Sequence, residues 1–316
     1  MASIITITFS PCIDKSATVP ELIPEKKLKC SQPKLEPGGG GINVARAISK
    51  LGGTSIAIYP AGGYTGMFFN KLLADENIPA VIIDTKNETR ENIIILDESQ
   101  NKQYRFGMPG TPVAESEWQH LLQAVEQMDD VEFMVASGSL PPGVPDDIFA
   151  RIAAIATKKG AKLVVDTSGE PLRRAVDEGV FLLKPNLGEL AKLVNKEHIA
   201  EKETGKYARK LVAGGKVNVV VVSMGASGAL LVTQDSEIFI KAPPAKRRST
   251  VGAGDSMVAG IVLKLSQGKS LVEAAQYGVA CGTAATLKPG TELCSLEDAD
   301  RFFEQITNAA MHSEHK

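Results

Sequence analysis

The stretch Thr250-Val-Gly-Ala-Gly-Asp-Ser-Met257 runs directly into an apolar helical pattern that continues to Leu265. A small, flexible segment before a helix leaves unpaired backbone N–H groups at the helix start, where the helix dipole favours an anion. Gly252 and Gly254 lack a Cβ, so the backbone there can approach a phosphate closely. Residues Gly252, Ala253 and Gly254 are therefore predicted to form an anion hole.

Asp255 stands beside this anion hole, in the first turn of the predicted helix. A carboxylate there can accept the proton of a hydroxyl as charge develops on a transferring group, which is the role of a general base. Aspartate is also a frequent helix N-cap, and the residue alone does not separate the two interpretations. A P-loop is excluded, because Leu263 stands where the motif ending at 268–270 needs its first glycine.

Composition limits the classes of function. The 316 residues include 35 lysines and arginines against 37 aspartates and glutamates, a formal charge of −2. This balance favours neither a nucleic acid nor an anionic membrane as partner, so an anionic ligand must meet local charges. The four cysteines form no C-x-x-C pair, and no basic segment precedes the apolar start at Ile4, so a reduced cytoplasmic setting is expected.

Strand-like and helix-like apolar runs alternate along most of the chain. Such alternation predicts an α/β fold with a mostly parallel central sheet and helices on both faces. No linker divides the sequence, so a single domain over residues 1–316 is expected. The predicted strands are 4–9, 55–59, 131–136, 162–166, 181–184 and 217–223, and the predicted helices are 65–76, 144–157, 171–178 and 187–195.

Two other segments have the sequence pattern of a separate, smaller sheet. Residues 91–96 and 103–106 are short strands joined by a polar turn, which predicts a β-hairpin. Asp14 lies in a short turn, and the following residues 15–35 are rich in lysine and proline with weak periodicity. We interpret residues 15–35 as exposed strands or loop that add no element to the core.

Four consecutive glycines, Gly38 to Gly41, lead into a helical apolar spacing over residues 42–51. Four glycines cost much conformational entropy, so the backbone is expected to do something that side chains would block. A flexible hinge or a tight crossover is the alternative. A dinucleotide-binding fingerprint is excluded, because Asn43 and Val44 occupy the positions at which its third glycine would stand.

Polar residues follow further predicted strands, where open α/β sheets bind ligands. Ser139 lies in a turn whose hydroxyl groups, beside prolines, can orient a ligand or cap the turn. Asn186 and Glu189 follow the strand that ends at Lys184, and a glutamate three positions after an asparagine is also a helix-capping arrangement.

The end of the predicted sheet has a different character. Ser223, Gly225 and Gly228 lie where the sheet turns antiparallel, before the predicted hairpin strands 229–232 and 237–240. A glycine-rich turn between hairpin strands is a common structural solution, so these residues alone do not require a ligand.

The segment Thr250 to Ser256 resembles the second signature of the ribokinase-like sugar kinases, and the chain is similar to their phosphofructokinase B-type branch. The resemblance extends from about Ile5 to Cys294 and includes the glycine run and the Asn186/Glu189 pair. It implies a ribokinase-like fold, with a small β-sheet lid built from residues of about 14–35 and 89–107 inserted in one kinase domain.

The resemblance also implies roles for individual residues. Asp255 would deprotonate the acceptor hydroxyl, while the backbone of Gly252, Ala253 and Gly254 would hold the transferring phosphate. The sugar-binding positions are Asp14, Gly39 and Asn43, and the positions that hold the phosphate already on the substrate are Lys27, Arg90 and Ser139. A guanidinium suits such a dianion because its fork donates two parallel hydrogen bonds.

The nucleotide and the metal ions are assigned to the other side of the site by the same resemblance. The nucleotide-binding positions are Lys184, Asn186, Ser223, Gly225, Gly228 and Thr250. Glu189 would bind Mg²⁺ through water, and backbone carbonyls of Ser249, Val251, Ala285 and Gly290 would hold a monovalent cation such as K⁺. Lys288 lies close to these carbonyls in sequence, so its ammonium is a candidate to reduce the need for that ion.

The implied function is ATP-dependent phosphorylation of a ketohexose phosphate, foremost fructose 6-phosphate to fructose 1,6-bisphosphate, in carbohydrate metabolism. Within the same class, 1-phosphofructokinase and tagatose-6-phosphate kinase share nearly all of these motifs. A non-catalytic sugar-phosphate sensor is a more distant alternative, against which the intact Asp255 counts. A homodimer through the lid is also expected, because a small exposed sheet is only marginally stable alone.

Overall fold

A computed structural model describes the backbone of residues 4–314 and the side chains of residues 4–310. The strands are β1 (Ile4–Ile7), β2 (Cys12–Val19), β3 (Lys34–Gly38), β4 (Ile56–Gly62), β5 (Ala80–Thr85), β6 (Arg90–Asp97), β7 (Lys102–Phe106), β8 (Phe133–Ser137), β9 (Lys162–Asp166), β10 (Val180–Leu183), β11 (Val217–Ser223), β12 (Gly228–Val232) and β13 (Glu237–Lys241). The α-helices are α1 (Gly40–Lys50), α2 (Gly63–Asp75), α3 (Glu115–Gln127), α4 (Ile148–Lys159), α5 (Gly169–Glu178), α6 (Leu187–Leu193), α7 (Thr204–Ala213), α8 (Ala253–Ser266), α9 (Leu271–Ala285) and α10 (Leu296–Glu314).

Nine of the strands form one sheet in the order β13-β12-β11-β10-β9-β8-β1-β4-β5. The pairs from β5 to β11 are parallel, whereas β11, β12 and β13 are antiparallel neighbours. The predicted α/β class, the mostly parallel sheet and its antiparallel end are therefore confirmed.

Both faces of this sheet are buried. In β1, Ile5 and Ile7 pack in an apolar cluster with α3 to α7, while Ile4 packs on the opposite face with α1 and α8 to α10. Strands covered on both faces are apolar at consecutive positions, which is the pattern that β8, β9 and β11 display. The carboxyl ends of the parallel strands consequently share one edge of the sheet.

The remaining four strands form a second, smaller sheet in the order β3-β2-β6-β7, which we call the lid. In the lid, β2 runs parallel to β6 with Asp14 opposite Asn92, and β6 pairs antiparallel with β7. The expected small sheet is present. Residues 15–35 are exposed or half-buried strand and loop as expected, apart from Val19, which is 1% exposed. The expectation that Asp14 lies in a turn is wrong, because this residue is inside β2, where pairing with β6 extends the strand.

Four elements have no counterpart among the sequence predictions: β5, α3, α7 and α10. β5 is an edge strand whose apolar run Ala80 to Ile83 was an available signal, whereas α3 buries only a stripe of apolar residues and has a weaker signal than the central helices. Within residues 4–314, no helix combines the length and apolar character needed to cross a membrane.

Candidate active site

The start of α8 carries the predicted general base. Gly252 is the N-cap of α8 and adopts a left-handed φ of 71°, which glycine tolerates without a Cβ penalty. Asp255 lies in the first turn, and its Oδ2 accepts a 2.9 Å hydrogen bond from Asn43 Nδ2. The N-cap interpretation of Asp255 is therefore wrong, because Gly252 holds that position and the carboxylate faces Asn43 of α1.

The electrostatic surroundings of Asp255 suit a base. Burial and, to a smaller extent, the nearby carboxylate of Asp166 raise the pKa of Asp255, while the amide of Asn43 and the ammonium of Lys184 lower it, and the net result is a pKa of about 7. A base is most effective when its pKa lies near the operating pH. This carboxylate can therefore hold and release a proton close to neutrality.

Lys184 lies beside the same helix start, directly after β10. Its side chain is 5% exposed, and its Nζ is 3.3 Å from Oδ1 of Asp166 at the end of β9. Burial lowers the pKa of Lys184, but the negative charges of Asp166, Glu189 and Asp255 outweigh that effect and raise it overall. A β-carbon at Gly254 would lie 3.3 Å from this ammonium, so the charge is held close to the α8 backbone.

Asn186 and Glu189 form a reciprocal capping box at the start of α6. Asn186 Oδ1 accepts from Glu189 N at 2.9 Å, and Glu189 Oε2 accepts from Asn186 N at 2.9 Å. The capping interpretation is confirmed. One carboxylate oxygen of Glu189 has no part in the box, and burial together with the charge of Asp166 raises the pKa of this residue.

The structure brings Ser223 next to Asn186, since these two residues form an isolated parallel bridge and Ser223 N donates to Pro185 O at 2.9 Å. Gly225 and Gly228 shape the turn between β11 and β12 with φ values of 59° and 119°. A β-carbon at Gly228 would collide with the backbone of Ile240, so the fold requires glycine at this position whether or not a ligand binds there.

The glycine run, Gly38 to Gly41, lies on the opposite side of the cleft and packs against the ends of β1 and β8. Gly39 adopts a φ of 114°, and a β-carbon at Gly40 would collide with Ser137. A β-carbon at Gly41 would lie 2.6 Å from Thr8 Oγ1. These contacts favour close approach of α1 to the ends of β1 and β8 over the hinge alternative.

Asp14 and Arg90 line the lid side of the cleft. Asp14 is 7% exposed, burial raises its pKa, and its Oδ1 accepts from Asn92 Nδ2 at 2.9 Å. Arg90 donates through Nη1 to Met108 O at 3.1 Å and through Nη2 to Ser10 O at 3.1 Å. Its buried Nε has no hydrogen-bond partner within the described residues, so the guanidinium keeps donor capacity.

Two of the predicted phosphate-binding residues lie at the surface. Ser139 is exposed in the turn after β8, close to the glycine run in space, since the neighbouring Ser137 and Gly138 face Gly40. Lys27 is exposed on the connection between β2 and β3, and among residues 4–314 no recorded contact joins it to Arg90 or Ser139. Within one chain the structure does not bring Lys27 together with the other predicted phosphate-binding residues.

Three polar residues in the cleft were missed by the sequence reasoning: Asp166, Asn92 and Arg105. Arg105 of β7 donates from Nη2 to Thr250 Oγ1 at 3.2 Å and so joins the lid to the loop before α8. Asp166 ends a predicted strand at the ligand-binding edge, which was an available signal. Asn92 and Arg105 lie inside short lid strands, and only strand pairing brings them to the cleft.

The predicted cation-binding segments lie against each other. Ser249 Oγ donates to Gly290 O at 2.8 Å, and Val251 N donates to Ser249 Oγ at 3.2 Å, while Ala285 O accepts from Lys288 N at 3.1 Å. Adjacent backbone carbonyls are suitable ligands for K⁺. The hypothesis that the Lys288 ammonium replaces the ion is not supported, because its Nζ pairs with Asp298 at 2.9 Å.

The residues around Lys184 also fit Mg²⁺. Asp166 and Glu189 are near enough for their charges to influence each other, and carboxylate oxygens are ligands that Mg²⁺ prefers. Among residues 4–314 there is no cluster of three or more histidine, cysteine, aspartate or glutamate side chains that could hold a metal. One or two carboxylates suffice, however, when substrate phosphates and waters complete the coordination of Mg²⁺.

A helix start that suits an anion, a nearby carboxylate with a raised pKa and a buried ammonium on an open α/β sheet are the groups that phosphoryl transfer requires. Residues 6–299 match the family model described as pfkB family carbohydrate kinase. The chain belongs to this family, and the predicted ribokinase-like fold and phosphofructokinase branch are confirmed.

The relatives at higher identity are phosphofructokinases. The chain is 45% identical over 308 residues to ATP-dependent 6-phosphofructokinase isozyme 2 of Escherichia coli, covering 97% of this chain and 100% of the relative. A 1-phosphofructokinase of Borreliella burgdorferi is 32% identical over 304 residues, covering 96% of this chain and 97% of the relative.

Solved structures of E. coli phosphofructokinase-2 have the same fold. Its complexes with fructose-6-phosphate and with potassium each give a TM-score of 0.92, with 44% and 45% identity, and each covers 97% of this chain and 100% of the other. A tetrameric inhibited form of that protein is also similar, with a TM-score of 0.91 and 44% identity, covering 97% of this chain and 100% of the other.

Proposed function

We propose that this protein is an ATP-dependent 6-phosphofructokinase that converts fructose 6-phosphate to fructose 1,6-bisphosphate. The observation that carries the proposal is Asp255, whose carboxylate lies in the first turn of α8 beside the Gly252–Gly254 backbone and Lys184. The relative at 45% identity and the fructose-6-phosphate complex of the E. coli protein support the same substrate.

In the proposed reaction, Asp255 accepts the proton of the free C1 hydroxyl as its oxygen attacks the γ-phosphorus of ATP. The bond between the γ-phosphorus and the bridging oxygen breaks, and ADP leaves with that oxygen. Backbone N–H groups of Gly252, Ala253 and Gly254 hold the transferring group at the positive end of α8. Lys184 supplies a fixed positive charge, and its burial keeps the charge effective in a site of low polarity.

The nucleotide is assigned to the ends of β10 and β11. Asn186, Ser223, Gly225, Gly228 and Thr250 would contact it, and Glu189, with Asp166, would hold Mg²⁺ through one or two oxygens. Mg²⁺ bound with ATP neutralises phosphate charge and lowers the cost of transferring it. K⁺ would lie against the carbonyls of Ser249, Val251, Ala285 and Gly290.

The sugar phosphate is assigned to the lid side. Asn43 Oδ1 is buried and has no hydrogen-bond partner within residues 4–314, while Nδ2 of the same amide donates to Asp255. This oxygen is therefore available to accept a hydrogen bond from a sugar hydroxyl. Asp14 and the Gly39 backbone would bind further hydroxyls. Arg90 and Ser139 would bind the existing phosphate, and the unpartnered Nε of Arg90 supports this assignment.

We also propose a homodimer through the lid, in one kinase domain that spans residues 1–316. Ile93 and Phe106 are opposite each other on the outer face of β6 and β7 and are 40% and 47% exposed. An apolar patch of this kind marks an interaction surface. Lys27, exposed on the same lid, would then reach the phosphate of the partner copy. The four cysteines are free, which supports the cytoplasm as the location.

A coupled kinase assay tests the substrate. Fructose 6-phosphate, fructose 1-phosphate, tagatose 6-phosphate and fructose are offered at equal concentrations with ATP. We expect the highest kcat/KM for fructose 6-phosphate and almost no turnover of fructose. A clear preference for fructose 1-phosphate would favour the 1-phosphofructokinase alternative, which the relative at 32% identity supports. Binding without turnover would favour the sugar-phosphate sensor.

A further inference from the structure

The side chain of Asn92 lies between the two residues of the lid that are assigned to the substrate. Its Nδ2 donates to Asp14 Oδ1 at 2.9 Å and to Cys12 Sγ at 3.1 Å. Its Oδ1 accepts from Arg90 Nη1 at 3.2 Å and from Met108 N at 3.1 Å. One planar amide therefore contacts both the proposed ring-binding carboxylate and the proposed phosphate-binding guanidinium.

Strand pairing explains why this position is suited to the task. β2 and β6 are parallel, with Asp14 opposite Asn92 and Cys12 opposite Arg90. Side chains alternate between the two faces of a strand, so these four residues share the face that looks into the cleft. The spacing between Asp14 and Arg90 is consequently set across a strand pair, with Asn92 as the connecting side chain.

The chemistry of the amide is also specific. Asp14 accepts a hydrogen bond and needs a donor, whereas Arg90 and the Met108 N–H donate and need an acceptor. An amide offers both functions at a fixed separation, while a carboxylate offers only acceptors and an aliphatic side chain offers neither. A β-carbon at Gly38 would collide with Asp14 Oδ2, so this second oxygen is also confined.

We propose that Asn92 is a positioning residue that holds Asp14 and Arg90 at the separation between the ring hydroxyls and the existing phosphate of the substrate. This inference rests on the proposed function and goes beyond it, because it assigns recognition of the phosphorylated sugar to a residue that does not itself bind the sugar. It concerns the sugar phosphate only, since none of the recorded contacts of Asn92 involves the nucleotide-side residues within 4–314.

The first test compares Asn92→Leu, which keeps the approximate size but removes both hydrogen-bonding functions, with Glu91→Gln. Glu91 is the neighbour on the opposite face of β6, where it pairs with Lys15 at 2.8 Å. We expect Asn92→Leu to raise KM for the sugar phosphate about 10- to 100-fold, the range for lost hydrogen bonds to charged groups, and to leave KM for ATP within about twofold. Glu91→Gln should change neither constant.

The second test measures how the activity of Asn92→Asp depends on pH. A purely structural role for Asn92 would not produce the dependence expected here. At high pH the new carboxylate cannot donate to Asp14 and repels it. At low pH the two carboxyl groups share a proton, which restores an O–H donor in the position of the amide N–H. The kcat/KM of Asn92→Asp for the sugar phosphate, divided by that of the wild type at each pH, should therefore rise as pH falls from 8.5 to 6.

Three outcomes would overturn the proposal: equal rises in KM for both substrates, unchanged KM for the sugar phosphate, or a pH-independent ratio for Asn92→Asp. If Asn92→Leu does not fold, as judged by its melting curve, the Asn92→Asp ratio decides. The tests use whichever sugar phosphate the wild type turns over fastest. A wild type without activity on fructose 6-phosphate would contradict the proposed function. The Asn92 variants could then still be compared with the wild type on the sugar phosphate that it does phosphorylate.

Discussion

The lid and the nine-stranded sheet contribute different kinds of group to the cleft between them. The large sheet supplies groups from strand ends and helix starts, such as Asp166, Lys184 and the α8 backbone, all anchored in a core buried on both faces. The lid supplies side chains from within its strands, Asp14, Asn92 and Arg105, and its outer face exposes Phe106. Under the proposed function, the reacting groups therefore belong to the large sheet, while Asp14 and Arg90 of the lid contribute to binding of the sugar phosphate.

Polar contacts join the lid to the rest of the protein, in addition to the apolar cluster that Ile13 of β2 forms with Ile42 and Tyr59. Glu36 of β3 accepts from Thr291 Oγ1 at 2.7 Å and pairs with Arg46 of α1, whose side chain is 1% exposed. Lys34 pairs with Glu292 at 2.6 Å. The loop before α10 is therefore bonded both to the lid and, through Ser249 and Gly290, to the segment that leads into α8. Neighbouring contacts therefore connect the lid to the segment that leads into α8.

The largest expected effect comes from the scaffold side. Asp255→Asn preserves size but removes the base, so we expect kcat to fall about 10²- to 10⁴-fold while both substrates still bind. Single-turnover kinetics and ligand titrations would measure this. Asp177→Asn, an exposed position on α5, is the control and should behave like the wild type. Near wild-type turnover of Asp255→Asn would mean that another group takes the proton.

A smaller effect is expected from the lid side. Arg90→Ala should raise KM for fructose 6-phosphate about 10- to 150-fold, because a charged hydrogen bond to the phosphate is lost, and leave KM for ATP nearly unchanged. Steady-state kinetics with each substrate varied in turn would measure the split. Arg174→Ala, which removes an exposed pair with Glu170, is the control. Equal changes in both constants would contradict the division between lid and scaffold.

The pH profile gives a third comparison. Because burial and Asp166 raise the pKa of Asp255 to about 7, the base becomes protonated as pH falls through 7. We expect kcat/KM to decrease by about tenfold per pH unit well below this value. Arg90→Ala should have the same midpoint, because Arg90 lies on the lid. A midpoint near the ordinary value of an aspartate would show that Asp255 is more solvated than its surroundings indicate.

The smallest effect on kcat is expected from the outer face of the lid, because loss of the dimer would remove only the proposed contact of Lys27 with the substrate phosphate. Phe106→Glu introduces a charge into the proposed dimer interface and should shift the protein toward monomers. Analytical ultracentrifugation over a range of concentrations would measure this. Tyr64→Glu, at an 81% exposed position on α2, should leave the mass unchanged. A wild type that is monomeric and fully active at assay concentration would remove the dimer proposal.

Much of the scaffold and its half of the site could be predicted, because the evidence for them is local in sequence. The strands around residues 162–166 and 217–223 begin and end as expected, since continuous apolar runs are typical of strands buried on both faces. The position of Asp255 in a first helical turn followed from the glycines before it. β5 was missed although Ala80 to Ile83 form an apolar run, and its alternating exposure as an edge strand follows from the sheet order, which only the tertiary structure supplies.

Local sequence was sufficient wherever a feature is formed by one backbone segment: the glycine-containing start of α8 and the capping box of Asn186 and Glu189 can both be recognised within a few positions. The tertiary structure decided everything that depends on residues far apart in the chain. It joins Asn43 to Asp255 across 212 positions and Asn92 to Asp14 across 78. The raised pKa of Asp255 has the same origin, because burial and the charge of Asp166 arise only when separate strands and helices pack together.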